Sequence, residues 1–195
     1  LSIFRGGFLA AAANAVAGAS PSTLLALLDK SFLRRTTAGR HQIHEVLRQY
    51  AAEKLAQHPK ERREITARHS AHYANWIHQQ MEALKGPAQR ETLTSIGDEI
   101  DNVRLAWQWA LTQIKDGTDE TAALHILRQS VESLYLFYTT RDWYHEGEEV
   151  FGRAVSVLAD SLSRHHTGKE LFLGKLWSYQ GKCCEFTAHS DQAQG

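Results

Sequence analysis

Apolar residues recur at helical spacing along most of the chain. Side chains three or four positions apart are apolar while the positions between them are polar, which places the apolar side chains on one face of an amphipathic helix. The pattern therefore predicts a mostly α-helical chain. Helices with such an apolar face are predicted over residues 65–84, 93–114, 124–138 and 143–158, and a last helix is predicted from about Glu170 to Ala188.

The first 58 residues carry a different pattern, in which two helices precede a hairpin and a third helix follows it. Glycine and proline at the expected positions mark the ends of these elements. The order helix, helix, hairpin, helix is typical of a winged-helix module. The signals are an alanine-rich helix at 8–17 closed by Gly18, a helix opened by Ser20-Pro21, strands at 32–35 and 40–43 around a loop with Gly39, and a helix at 44–57 ended by Pro59.

The last predicted helices resemble those of a helical repeat. Small and aromatic residues fall at the spacing of a tetratricopeptide repeat, whose hairpins bury their apolar faces only by stacking on neighbours. We therefore expect a winged-helix domain at 1–58, a helical linker at 59–117 and α-α hairpins of a tetratricopeptide-like solenoid at 118–195, the last repeat being truncated. The residues are Gly147, Phe151 and Ala154 for one helix, Trp177, Gly181 and Cys184 for the next, and Ala193 for the following small position.

Composition narrows the function classes. Lysine and arginine number 22, as do aspartate and glutamate, so the net charge is zero and nothing favours direct binding of nucleic acid.

The two cysteines, Cys183 and Cys184, are adjacent, which indicates no disulfide framework and a reducing cytoplasm. No apolar run is long enough to predict a membrane span. The chain begins at Leu1 without a methionine, so we expect a piece of a longer protein.

Four separated motifs resemble one family of signalling proteins. They are residues 1–8 (LSIFRGGF), 27–34 (LLDKSFLR), 43–51 (IHEVLRQYA) and 99–107 (EIDNVRLAW). In this order they are similar to bacterial STAND-class signalling ATPases, which include large transcriptional regulators built from an NB-ARC-type nucleotide-binding domain, a winged helix and tetratricopeptide repeats. The resemblance implies that residues 99–107 belong to the helical linker before the repeats.

The resemblance also implies one site residue. In that family a Met-His-Asp-like motif opens the helix after the wing, and its histidine contacts the β-phosphate of ADP. Ile43-His44-Glu45 stands there, so the resemblance assigns the phosphate contact to His44, while Glu45 keeps the charge of the aspartate on a longer side chain. An imidazole at a helix N-terminus is also well placed to meet an anion.

The expected function is that of a regulatory and sensor fragment of a nucleotide-switched protein. The fragment has no phosphate-binding loop, so we expect no enzymatic activity and no cofactor of its own. The resemblance implies that ATP or ADP binds an upstream nucleotide-binding domain of the same protein, and that the repeats bind a protein or small-molecule inducer.

Two other functions stay open from the sequence. One is a tetratricopeptide-type protein-interaction scaffold without nucleotide control. The other is DNA binding by the winged helix. It is disfavoured because the helix before the hairpin, residues 22–30, would present leucines and Asp29 to the DNA major groove, where polar or basic side chains read the bases. Arg34, Arg35 and Arg40 could touch phosphates, although a solvated hairpin explains them as well.

Neither metal binding nor nucleophilic catalysis is indicated. Five of the eleven histidines fall in two groups, three along one predicted helix and two adjacent in a loop, but no cysteine or carboxylate accompanies them at ligand spacing. Cys183 and Cys184 fall in the middle of a predicted helix, where packing accounts for them. The histidines concerned are His69, His72, His78 and the adjacent pair His165-His166.

Overall fold

The computed structural model describes residues 1–162 and 169–194. These residues form nine helices and one two-stranded antiparallel sheet, which confirms the predicted mostly helical chain with a single hairpin. His165 and His166 lie outside the described residues. In chain order the elements are α1 (Ala10–Ala17), α2 (Pro21–Asp29), β1 (Leu33–Arg35), β2 (His41–Ile43), α3 (Glu45–Ala56), α4 (Pro59–Gln79), α5 (Met81–Lys85), α6 (Gln89–Asp116), α7 (Glu120–Thr140), α8 (Tyr144–Leu162) and α9 (Glu170–Gln194).

The chain divides into two compact units. The N-terminal unit comprises residues 1–73 together with residues 97–106 of α6, and the C-terminal unit comprises residues 74–96 and those from 107 onward. The domain limits 1–58, 59–117 and 118–195 remain predictions.

Local signals set the ends of the first two helices. Gly18 closes α1 with φ of 63°, a left-handed conformation that glycine adopts without a steric penalty. Ser20 caps α2, because its side chain accepts a hydrogen bond from the backbone N–H of Thr23, and Pro21 takes the first helical position. Both ends confirm the prediction from sequence.

The hairpin pairs Leu33 with Ile43 and Arg35 with His41 in antiparallel register. Gly39 lies in the turn with φ of 76° and donates its N–H to the Thr36 carbonyl at 2.9 Å. Phe8 adds a further bridge, exchanging both backbone hydrogen bonds with His41 at 2.8 and 2.9 Å. The N-terminal segment is thereby held beside β2.

Aromatic side chains fill the core of the N-terminal unit. The rings of Phe4 and Phe8 stack with centroids 4.5 Å apart, and Phe8 stacks in turn on His41 at 5.8 Å. His69 and Tyr73 of α4 pack against Phe4 from the other direction. The apolar segment at the start of the chain is therefore a core element of this unit.

Two bounds differ from the sequence prediction, and the helix after the hairpin, α3, buries none of its residues: Val46 is 66% exposed and Tyr50 is 59% exposed. Pro59 begins α4 rather than simply ending the previous helix, because the first helical position needs no N–H donor. The helix predicted over 65–84 is broken at Gln80 into α4 and α5.

In the C-terminal unit α8 packs against α9, and α9 runs to Gln194, beyond the predicted end near Ala188. Phe151 and Ala154 are fully buried and Gly147 lies against Cys183, so the predicted small-aromatic-small set forms a packed face of α8. The repeat positions predicted on α9 do not form a buried face: Trp177 is 55% exposed, and the space beside Gly181 is open. The side chain of Ala193 lies outside the described residues.

No single helix among the described residues is long and apolar enough to cross a membrane. In the part of the chain that the structure describes, one pair of helices, α1 and α2, reaches that length and apolarity together, but the chain bends by 111° between them.

Candidate functional site

A cavity of about 550 Å³ opens in the N-terminal unit between three pieces of chain. Its walls are the segment 4–8, the two strands with the residues just before β1, and the first turn of α3. Arg5, Arg34 and Arg48 line it together with His44, and Glu45 is the single acidic residue of the lining. The wall is therefore net positive, which suits an anion.

His44, predicted as the phosphate contact, lies on this wall. It is the residue before α3, with the extended conformation of an N-cap (φ −60°, ψ 135°), and its side chain makes no capping hydrogen bond to α3. The side chain is exposed. Because the first N–H groups of a helix have no partner within the helix, the uncapped start of α3 adds donors and a positive dipole end to the imidazole.

Arg48 and Glu45 form a bidentate pair on the first turns of α3. The Nε and Nη2 atoms of Arg48 donate to the Glu45 carboxylate at 2.8 and 2.6 Å. Hydrogen bonds from Arg48 and then Gln49 lower the pKa of Glu45 to about 2, and the same pairing raises the pKa of Arg48. Glu45 thus holds the Arg48 guanidinium in place and cancels part of its charge.

Arg5 approaches Arg48 from the segment before α1. The Nη1 atoms of both residues donate to the Ser2 carbonyl, at 3.3 Å from Arg5 and 3.4 Å from Arg48. Burial and then the charge of Arg48 lower the pKa of Arg5 from its usual value. Two guanidinium groups forced together at a cavity wall repel each other, and a bound anion relieves that repulsion.

Arg34 belongs to the hairpin side of the cavity. Its Nε donates to Oε1 of Gln42, its partner in the strand register, at 2.9 Å. Both residues line the cavity, so this bond orients the Arg34 guanidinium on the wall. Phe32, which is 48% exposed, contributes an apolar surface beside it.

The sequence identified His44 but gave no role to Arg5 or Arg48. Arg48 could have been found, since residues four apart on a helix are neighbours and Arg48 follows His44 by four. Arg5 could not, because it precedes the first helix, and its backbone N–H is bound by Asn102, 97 residues away. Arg34, which the DNA-binding alternative would place on DNA phosphates, lies at the same cavity as His44.

The described histidines and cysteines were the remaining candidates for a metal site. Among the described residues no three histidine, cysteine, aspartate or glutamate side chains are grouped to hold a metal ion. His69 is fully buried, and His78 is exposed on the same helix. Burial raises the pKa of the Cys183 thiol to about 11, which makes it a poor nucleophile.

No protein-family model, no curated protein and no solved structure matches this chain. The function is therefore inferred from the residues that line the cavity.

Proposed function

We propose that this chain is the regulatory part of a nucleotide-switched signalling protein of the cytoplasm, and that the cavity around His44 receives the phosphates of a nucleoside diphosphate. The observation that supports this most is the convergence of His44 with Arg5, Arg34 and Arg48 on one cavity. Arginine presents planar, paired donors that match phosphate oxygens, and an uncapped helix start adds backbone donors.

The nucleotide would be held mainly by a neighbouring nucleotide-binding domain of the same protein. Residues 1–58 would act as a winged helix that closes over ADP, and exchange of ADP for ATP would release it. Such a switch works because the two nucleotides stabilise the two arrangements to different extents. The region 118–195, as tetratricopeptide-like repeats, would bind the inducer or partner, and hydrolysis would be left to the other domain.

The second candidate is a protein-interaction scaffold without nucleotide control. The observation that favours it lies on α9, where Leu171 is 91% exposed and Trp177 is 55% exposed. Large apolar side chains left in solvent are typical of helix faces that bind another polypeptide.

Titration of the chain with pyrophosphate separates the two functions. We expect pyrophosphate to bind more tightly than phosphate, and His44→Ala to weaken it about tenfold, since a hydrogen bond to a charged group contributes about 1.5–3 kcal/mol. The matched control is Arg62→Gln, which removes an exposed arginine of α4 that does not line the cavity. Absence of binding at millimolar pyrophosphate, or equal affinity in wild type and His44→Ala, would overturn the nucleotide proposal in favour of the scaffold.

A further inference from the structure

Asn102 of α6 binds both backbone groups of Arg5. Its Oδ1 accepts the Arg5 N–H at 2.8 Å, and its Nδ2 donates to the Arg5 carbonyl at 2.9 Å. The same Nδ2 lies 3.1 Å from the Gly7 carbonyl. One side chain thus supplies the segment 5–7 with the pair of hydrogen bonds that a neighbouring β-strand would give.

The partners of Asn102 fix the orientation of its amide. Oδ1 also lies 3.3 Å from Nε2 of His69, and Nδ2 lies 3.0 Å from Oε2 of Glu99. The opposite orientation would set the carbonyl oxygen against three acceptors and the NH₂ group against the Arg5 N–H. Asn102 is fully buried, so such an arrangement would leave those groups without water to replace the lost bonds.

The segment that Asn102 holds has no regular structure of its own. Gly6 and Gly7 have φ of 68° and 122°, and glycines lose the most conformational freedom when they are ordered. The Arg5 guanidinium at the end of this segment faces the like charge of Arg48. Without an anchor on the backbone, repulsion and chain entropy would both move Arg5 away from the cavity wall.

We propose that Asn102 is the positioning residue of the anion cavity, holding the backbone of residues 5–7 so that the Arg5 guanidinium meets a bound diphosphate. The proposal rests on the function proposed above. Asn102 does not line the cavity. Its buried amide nevertheless sets the strength of anion binding, because it positions Arg5, one of the three arginines of the cavity wall.

A double-mutant cycle on pyrophosphate affinity tests this. We expect Arg5→Gln and Asn102→Ala each to weaken binding about five- to tenfold, with Asn102→Ala adding less than about twofold once Arg5→Gln is present. Arg34→Gln is the matched control, since Asn102 does not hold its backbone, and Asn102→Ala should keep its full effect in that background. Equal effects of Asn102→Ala in the two backgrounds would mean a general structural role and would overturn the proposal.

A second readout does not depend on anion binding or on the alanine variant. Asn102→Leu keeps a side chain of about the same size and adds no charge but cannot bind the Arg5 backbone, and urea unfolding checks that it is folded. Phenylglyoxal modification followed by mass spectrometry should then show a rise of about threefold or more at Arg5 with little change at Arg34. An unchanged rate at Arg5, or an equal rise at both arginines, overturns the positioning. Failure of the wild type to bind pyrophosphate would overturn the proposed function instead, and the modification rates would still decide the position of Arg5.

Discussion

Gly147 of α8 faces Cys183 of α9 so closely that a Cβ on Gly147 would lie 2.9 Å from the Cys183 Sγ. The same Cβ would lie 3.4 Å from the Cβ of Tyr138 on α7. Cys183 and Tyr138 are fully buried, so neither can swing into solvent. The absence of a side chain at position 147 is therefore what lets these helices approach.

Gly147→Ala should destabilise the protein, although alanine is the better helix former by about 1 kcal/mol. We expect a net loss of about 1–3 kcal/mol in the free energy of unfolding, because the added methyl overpacks a closed core. Gly152→Ala is the control: the atom its Cβ would meet at 2.9 Å is the amide end of Gln180, a flexible and partly exposed side chain. Urea unfolding that showed equal effects for the two substitutions would contradict this account.

A buried ion pair ties the hairpin to α6 within the N-terminal unit. The Arg40 guanidinium pairs with the Glu99 carboxylate and donates to the Asp98 carbonyl at 2.9 Å. Glu99 also accepts the Tyr73 hydroxyl at 3.0 Å. The side chains of Arg40 and Glu99 are 11% and 4% exposed, so the two charges depend on each other rather than on water.

Arg40→Met should lower the free energy of unfolding by about 3 kcal/mol, because it leaves a carboxylate buried without its counter-charge. The double variant Arg40→Met/Glu99→Met should recover part of this loss, since no unpaired charge remains. Asp101→Asn, in an exposed pair of the same helix with Arg104, should change stability by less than about 0.5 kcal/mol. A similar loss from Arg40→Met and Asp101→Asn in urea unfolding would show that burial does not matter here.

Local chemistry allowed most of the elements to be predicted. Gly18, Ser20 and Gly39 act through their own backbone or their nearest neighbours, so their roles could be inferred without knowing the fold. The helix end at Gly117, with φ of 67°, follows the same rule. The exposure of α3 could not be predicted in this way, because apolar residues such as Val46 and Tyr50 on one side of a helix do not show whether another element covers them.

The candidate site was predictable only in part, for a related reason. His44 lies in a motif of consecutive residues, so the resemblance was enough to single it out. The arginines around it come from three separate segments, and the backbone of Arg5 is hydrogen-bonded to an amide in α6. Long-range hydrogen bonds of this kind leave no periodic pattern in the sequence.

Acid should destabilise the N-terminal unit through His69. Burial lowers the pKa of His69 to about 4, and because Asn102 Oδ1 can only accept, Nε2 carries the proton and Nδ1 is left without a partner in the structure. His72 and Arg5 nearby also disfavour the charged form, whereas the Asn102 hydrogen bond opposes the shift. The unfolded chain, with an ordinary histidine pKa near 6.5, binds a proton where the folded chain does not.

The stabilisation from neutral His69 is therefore full above pH ~6.5 and falls as the pH drops toward 4, by on the order of 2–3 kcal/mol. His69→Gln can still donate to Asn102 but does not titrate, so its free energy of unfolding should change less between pH 7 and pH 4.5. His58→Gln, an exposed position of the same unit, should keep the wild-type slope. Parallel slopes for His69→Gln and wild type in urea unfolding would exclude His69 as the source.

Glu45→Gln should strengthen anion binding, whereas a variant that fails to fold would bind the anion more weakly. Glu45 neutralises part of the Arg48 charge at the cavity wall, and its pKa of about 2 keeps it ionised at neutral pH. Removing the negative charge of Glu45 removes a repulsion on an anion bound beside it, so pyrophosphate affinity should rise about fivefold at low salt. The gain should shrink in 0.5 M NaCl, where screening shortens the reach of the charge. Glu53→Gln removes an exposed carboxylate of the same helix that does not line the cavity, and should change the affinity little. Weaker binding by Glu45→Gln would mean that holding the Arg48 guanidinium in place matters more than its net charge.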